Sequence, residues 1–284
     1  LYTGHCYYYS YAGCNKWQTG CGHCPQKKEF PASWLIDRSH QNYEDKKQAF
    51  TSLPLDQLTI VPVSEWIREE MQHSFFRNNQ FHVIHNGINT NIFNIYNPEQ
   101  VKQKYGLNGK HILLGVASIW SREKGFDDCI QMADLLHPDE MLVLVGVRPE
   151  QQKKLKKNML GIPRTENIHQ LAELYAAADA FINPTWQDNY PTVNLEAIAC
   201  GTPVVTYRTG GSIEAITDQT GFIVPQGNVK EMLEAARLIS QRGKAYYQQP
   251  CRTYALENFR KEDRYQDYLD LYDKLTERNP SANI

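Results

Sequence analysis

The sequence has no run of about 18 apolar residues, so no segment can cross a membrane as a helix. Peripheral contact with a membrane stays open. It has no excess of either charge: 30 Lys and Arg stand against 32 Asp and Glu, for a net charge of −2. That balance speaks against nucleic-acid binding, which favours a strongly basic chain. Internal repeats and low-complexity tracts are missing, and 41% hydrophobic with 22% charged residues describes a soluble globular protein. The first residue is Leu1, not Met, and no charged-then-apolar leader follows. The start therefore reads as an internal cut and not as a secretory signal. The 284 residues suffice for one large domain or two ordinary ones.

Seven cysteines are present, and four fall early: Cys6, Cys14, Cys21 and Cys24. Cys129 and Cys200 stand singly in apolar helical settings, which suits a reducing, cytoplasmic compartment. The early four are spaced C-x7-C-x6-C-x2-C. The C-x2-C pair has zinc-knuckle spacing, and four thiolates suit a structural zinc, with His5 and His23 as substitutes. A disulfide pair and free thiols packed among aromatics are the other two readings.

Residues 1–50 read as an irregular aromatic stretch followed by a charged helix at YEDKKQAF. A strand LTIVPVS, a helix SEWIREEM capped by Ser64, and a strand FHVIHNGI come next. Asn86-Gly87 predicts a turn, with residues that tolerate positive φ. Residues 89–110 read as a linker. From His111 the pattern becomes regular: strand HILLGVAS, helix FDDCIQMADLL, strand MLVLVGV, helix PEQQKKLKKNM, helix LAELYAAA, strand DAFINP, helix TVNLEAIAC, strand PVVTY, helix GSIEAI, strand GFIVP and helix VKEMLEAARLIS. Strands that are apolar throughout and alternate with helices predict an α/β domain with a doubly wound parallel sheet. Ligands of such sheets bind at the carboxyl ends of the strands. A last helix puts Tyr265, Tyr268, Leu269, Tyr272 and Leu275 on one face, so it is expected to dock against something.

Two stretches carry chemistry. In NPTWQDNYPTVNLEAIACGTPVVTYRTGG, residues 183–211, a strand ends near Pro184 and a polar loop holds Asp188, Asn189 and Tyr190. Pro191 stands where a helix begins, a position at which its missing N–H costs nothing. The free N–H groups of Thr192, Val193 and Asn194 then form an anion-receptive helix end. Glu196 follows one turn on; read alone, it is a solvated helix glutamate about one time in three. In GVASIWSREKGF, residues 115–126, Ser118, Arg122 and Lys124 follow the first strand of the regular region. Lys124 alone is equally a solvated lysine at a helix start.

At these residues the sequence resembles the retaining glycosyltransferases of family four, which have the GT-B fold. Two acids separated by seven residues, then E-A-x-A-x-G-x-P-V-V, are matched by Asp188 and LEAIACGTPVV. The resemblance implies that Glu196 hydrogen-bonds the donor ribose and that the first acid contacts hydroxyls of the transferred sugar. Asp188 replaces the usual glutamate there, one methylene shorter, and Asn189 can share its role. Lys124 matches the lysine that neutralises the donor diphosphate. The arginine usual five residues earlier is Ile119 here, and Arg122 is expected to supply the second charge. ENIHQLAELYAAADAFINP matches the stretch around the nucleobase, with His169 or its neighbours lining that pocket through backbone groups. Gly210 and Gly211 allow close approach of backbone to ligand.

The resemblance thus implies catalytic roles for Asp188, Glu196 and Lys124. Donor binding falls to Ser118, Arg122, Lys124, His169, Asn189, Tyr190, Thr192, Val193 and Glu196. It implies a complete C-terminal Rossmann-like domain, residues 96–255, after a partial N-terminal acceptor domain, residues 1–95, that carries the cysteine-rich insert. Residues 256–284 form a C-terminal helix packing back on the first domain. The reaction implied is transfer of a hexose from a nucleoside-diphosphate sugar to a glycan or lipid-linked acceptor with retention, in polysaccharide biosynthesis. It runs by front-face attack through an oxocarbenium-like state and needs no catalytic metal or other cofactor. The cysteine insert is similar to that of bacterial surface-polysaccharide transferases of the colanic-acid type. In them more of the acceptor domain precedes it, so this chain reads as N-terminally truncated and is expected to be weakly active or inactive alone. A GT-B epimerase or phosphorylase, and a zinc-braced binding module, are the competing readings.

Overall fold

The structure is a computed structural model that describes residues 3–6, 11–28, 32–33 and 35–278. The opening Leu1 lies outside them. Two compact units divide the chain, Leu1–His85 and Asn86–Ile284.

In the first unit the early cysteines meet around one indole. Cys6, Trp17 and Cys24 are buried together, and Cys14 and Cys21 pack against them. Helix α1 (Ser39–Phe50) follows. Strands β1 (Thr59–Ile60) and β2 (Gln80–Phe81) are a short parallel pair, Thr59 opposite Gln80 and Ile60 opposite Phe81. Between them runs α2 (Glu65–Gln72), whose Ser64 cap accepts from the Ile67 N–H at 3.1 Å. Ile67, Met71 and Phe76 form the core of this part. The two strands are shorter than the apolar runs that predict them, because Pro62 has no N–H to give to the ladder; His82 and Ile84 still donate to the Ile60 and Pro62 carbonyls.

In the second unit Ile88 exchanges backbone hydrogen bonds with Phe259 and Lys261. The Asn86-Gly87 turn is a correction: Gly87 does not take the positive φ that a glycine tolerates. Glycine stands there because a Cβ would strike the Lys261 backbone. The presumed linker contains a helix, α3 (Glu99–Lys104). The six-stranded sheet is formed by β3 (His111–Val116), β4 (Glu140–Val145), β5 (Met159–Ile162), β6 (Ala180–Asn183), β7 (Val204–Tyr207) and β8 (Gly221–Val224). Every pairing is parallel, in the order β5-β4-β3-β6-β7-β8. The order reverses between β3 and β6, which leaves a crevice at their carboxyl ends.

Helices α4 (Phe126–Met132), α5 (Pro149–Gln152), α6 (Ile168–Ala177), α7 (Thr192–Ala199), α8 (Val229–Arg242), α9 (Lys244–Asn258) and α10 (Lys261–Arg278) complete the unit. Val229, Met232, Leu233, Ala236 and Ile239 of α8 are all buried, as their spacing predicts. Two predicted helices shrink. PEQQKKLKKNM is helical only over Pro149–Gln152; Lys156 turns to pair with Asp134 and Met159 is taken up by strand β5. GSIEAI is a single 3-10 turn, Gly210–Ile213, since two glycines favour no helix. Strand β5 has no counterpart among the predicted elements. On α10 Tyr265, Leu269 and Tyr272 are more than half exposed, while Leu271 is buried.

A buried ion pair ties α8 to the start of β4. Arg237 donates from Nε and Nη2 to the two oxygens of Glu140, at 2.7 and 2.8 Å. Burial pushes the Glu140 carboxyl up, but the hydrogen bonds from Arg237 and the His137 N–H outweigh it and leave the group below its ordinary value of 4.5. Replacing Arg237 with Met strands a buried carboxylate and should cost about 3 kcal/mol in denaturant unfolding at pH 7. The pair's contribution is full above the unfolded carboxylate range and disappears as pH falls through the lowered folded value. The two proteins should therefore converge in stability toward pH 3.

Candidate functional site

The site is built on the carboxyl ends of β3 and β6. After β3 the chain passes through Ala117 and Ser118 to Trp120, whose indole N–H donates to the Val145 carbonyl at 2.8 Å. A tight turn follows: Gly125 and Phe126 donate backward to Arg122 and Ser121 carbonyls. Gly125 has φ 75°, and a Cβ there would lie against the Pro184 carbonyl. The turn is thus pressed onto the end of β6, and Trp186 N–H donates to the Glu123 carbonyl at 2.7 Å. This contact aims Lys124 at the loop after β6. Its Nζ lies 2.5 Å from Asp188 Oδ2, both partly exposed.

Helix α7 opens beside them. Ser64, Asn167 and Asn228 cap the N-termini of α2, α6 and α8 through their side chains, but α7 has Pro191 at that position and no side-chain cap. The N–H groups of Thr192 and Val193 are left for an outside acceptor, but that of Asn194, expected to be free, donates to the Pro191 carbonyl at 3.1 Å. A buried amide ladder holds the helix end in place. Asn183 donates to Asn194 at 2.8 Å, and Asn194 donates to the Ser212 carbonyl at 3.1 Å.

Together these elements enclose a cavity of about 250 Å³. Ser118, Lys124, Asp188, Tyr190, Thr192 and Val193 line it, six of the residues that the sequence nominates. Arg122, His169, Asn189 and Glu196 are not in its wall. Arg122 and His169 are exposed, as is Ile119. Glu196 sits one turn deeper on α7, on the partly exposed face that also carries Thr192 and Val193. Its Oε2 accepts from the Tyr175 hydroxyl at 2.9 Å. Burial pushes the Glu196 carboxyl up to about 7, against the Tyr175 bond that lowers it. Pro191, expected as the helix start, lines the cavity too, as do Trp120 and Asn183, for which the sequence alone predicts no role. An asparagine closing an apolar strand was the available signal for Asn183. A larger cleft of about 460 Å³ at the β7–β8 edge, lined by Arg208, Asp218, Phe222 and Arg242, shares none of these residues.

The zinc reading of Cys6, Cys14, Cys21 and Cys24 is corrected. Among the described residues no group of three or more His, Cys, Asp or Glu side chains is placed to hold a metal ion. The Trp17 indole is buried with Cys6 and Cys24, Cys14 and Cys21 pack against them, and Cys21 Sγ accepts from the His5 N–H at 3.2 Å. All seven cysteines are free thiols. No described helix is long and apolar enough to cross a membrane.

Comparison with known proteins gives the same direction. Residues 110–241 match the family model described as Glycosyl transferases group 1. Lipopolysaccharide glucosyltransferase WaaG of Escherichia coli is 32% identical over 187 residues, covering 61% of this chain and 47% of that protein. Alpha-maltose-1-phosphate synthase of Mycolicibacterium smegmatis is 26% identical over 184 residues, 58% of this chain and 48% of that one. The chain therefore spans about half the length of these relatives. Among solved structures, sucrose-phosphate synthase from Thermosynechococcus elongatus superposes with a TM-score of 0.72 at 19% identity, covering 90% of this chain and 67% of that one. Anabaena HepE in complex with UDP-glucose gives 0.69 at 17%, covering 82% and 68%. These matches support sugar transfer over an epimerase, a phosphorylase or a binding module. Over residues 110–241 the chain is similar to the group 1 glycosyl transferases, and its architecture is the α/β GT-B-like glycosyltransferase fold.

Proposed function

We propose that this chain binds the nucleoside-diphosphate sugar in a retaining glycosyltransferase that extends a glycan or lipid-linked acceptor, in polysaccharide biosynthesis. One observation carries the reading: an uncapped helix end, an ammonium and a carboxylate share a single cavity at the carboxyl edge of a parallel sheet. The N–H groups of Thr192 and Val193 and the Lys124 ammonium take the diphosphate. As the bond to the sugar breaks, they stabilise the charge that collects on the leaving group. Asp188 accepts from hydroxyls of the sugar ring. Glu196 accepts from the ribose hydroxyls, further along the same face of α7. The relation to HepE, whose structure holds UDP-glucose, supports a donor of this class.

Calorimetric titration of the chain with UDP, GDP and ADP tests the reading. One of the three is expected to bind with a 1:1 stoichiometry. Its affinity should decline as pH drops through about 7, because protonation of Glu196 replaces a charge-assisted acceptor with a weaker one. Binding that is flat from pH 6 to 8.5 removes Glu196 from the site. No heat with any nucleotide removes the donor reading as a whole.

A further inference from the structure

We infer that Tyr175 is a positioning residue for donor binding: its buried hydroxyl holds one oxygen of Glu196 and leaves the other to accept from the donor. The inference rests on the donor reading of Glu196 given above. Tyr175 is fully buried on α6, and its ring is fixed edge-on against Phe93 and Phe181, with centroids 6.1 and 5.4 Å away. Its carbonyl accepts from the Thr202 hydroxyl at 2.6 Å, which ties this turn of α6 to the segment after α7. A phenol so confined points in one direction, and there it donates to Glu196 Oε2 at 2.9 Å. Glu196 lies between buried Leu195 and Ala197 yet keeps partial exposure, on the same side as Thr192 and Val193. A carboxylate half sunk in an apolar helix packing has two options, to protonate or to gain a donor. Tyr175 is its only hydrogen-bonding side chain among the described residues.

The titratable and charged groups nearest this pair are Cys200 and two cations of α9: Lys244, which donates to the Ala176 and Ala178 carbonyls, and Arg252, which donates to the Ala199 carbonyl. Tyr175 itself is held well above the ordinary phenol range by burial and by Glu196, so it stays a proton donor. Cys200, one turn further on α7, is pushed up by burial and remains a neutral thiol. Burial alone drives Glu196 toward its neutral form, and the Tyr175 hydroxyl opposes that. Removing the hydroxyl should therefore raise the protonation midpoint of Glu196 and loosen its aim together.

The test uses Tyr175→Phe, Glu196→Gln and the double variant, titrated with the tightest-binding nucleoside diphosphate at pH 6.5, 7.5 and 8.5. Tyr175→Phe keeps the ring, and its melting curve reports whether the fold is intact. Its affinity at pH 7.5 should drop about three- to tenfold, the worth of one hydrogen bond. Part of the loss should be recovered at pH 8.5, and the change should vanish in the Glu196→Gln background. If Tyr175→Phe binds like the wild type while Glu196→Gln is weakened, the positioning role is wrong and the donor reading survives. A loss that is equal at every pH and additive with Glu196→Gln marks Tyr175 as packing only, which also overturns the inference. If Glu196→Gln itself binds normally, the donor reading of Glu196 fails first.

Discussion

Alanine in place of Lys124 should weaken nucleoside-diphosphate binding about 10- to 100-fold, with little change in stability. A hydrogen bond between charged partners contributes about 1.5–3 kcal/mol, and each 1.4 kcal/mol is tenfold in affinity. Lys124 Nζ is the only cationic group lining the cavity among the described residues. Loss of Lys124 also leaves the Asp188 carboxylate, 2.5 Å from the ammonium, unpaired and facing the incoming phosphate. The Lys124 side chain is 40% exposed, so the effect should shrink as salt is raised. Asp188→Asn separates the two halves of this argument. It frees the ammonium, so a nucleoside diphosphate without sugar should bind as well as before or better. The corresponding nucleotide sugar should lose affinity, because an acceptor for its hydroxyls is gone. Calorimetry with both ligands distinguishes these signs.

The second large effect comes from a residue with no functional group. Gly125→Ala should destabilise the second unit by about 3 kcal/mol and abolish nucleotide binding. At φ 75° any side chain is strained by about 1–2 kcal/mol, and here the new methyl also collides with the Pro184 carbonyl, which is backbone and cannot rotate away. Either the Lys124 turn or the end of β6 must move, and both hold cavity residues. A drop of about 6–12 °C in melting temperature is expected for a unit of this size. Gly109→Ala is the control: its φ is 71°, but nothing lies within 4 Å of a Cβ there. It should cost only the backbone strain and leave nucleotide binding intact. Equal effects at the two glycines would mean that the Pro184 contact carries no weight.

Much of this arrangement is readable from the residue pattern. Strands β3, β4, β6, β7 and β8 are apolar almost throughout, which only a sheet covered on both faces requires. Strand β5 stays hidden because MLGI is four residues long, contains a glycine, and follows lysines that mimic a helix surface. The cavity residues on α7 are legible because Pro191 and the loop before it mark a helix start without a side-chain cap. Asn183 and Asn194 are not, since their importance lies in a contact across eleven positions that only folding creates. Arg122 was nominated on proximity to Lys124 in sequence. Lys124 lines the cavity, while Arg122 ends exposed and outside its wall. The cysteine spacing was the least reliable guide, because a spacing does not reveal that an indole is buried with the thiols.

In the proposed function the cavity between Lys124 and the start of α7 receives the donor diphosphate. Amide resonances recorded while a nucleoside diphosphate is added test it without need of an acceptor or of turnover. The account predicts the largest shifts at Ser118, Lys124, Thr192 and Val193, with smaller ones along α7 to Glu196. Shifts centred instead on Arg208, Phe222 and Arg242, in the cleft at the β7–β8 edge, would contradict it.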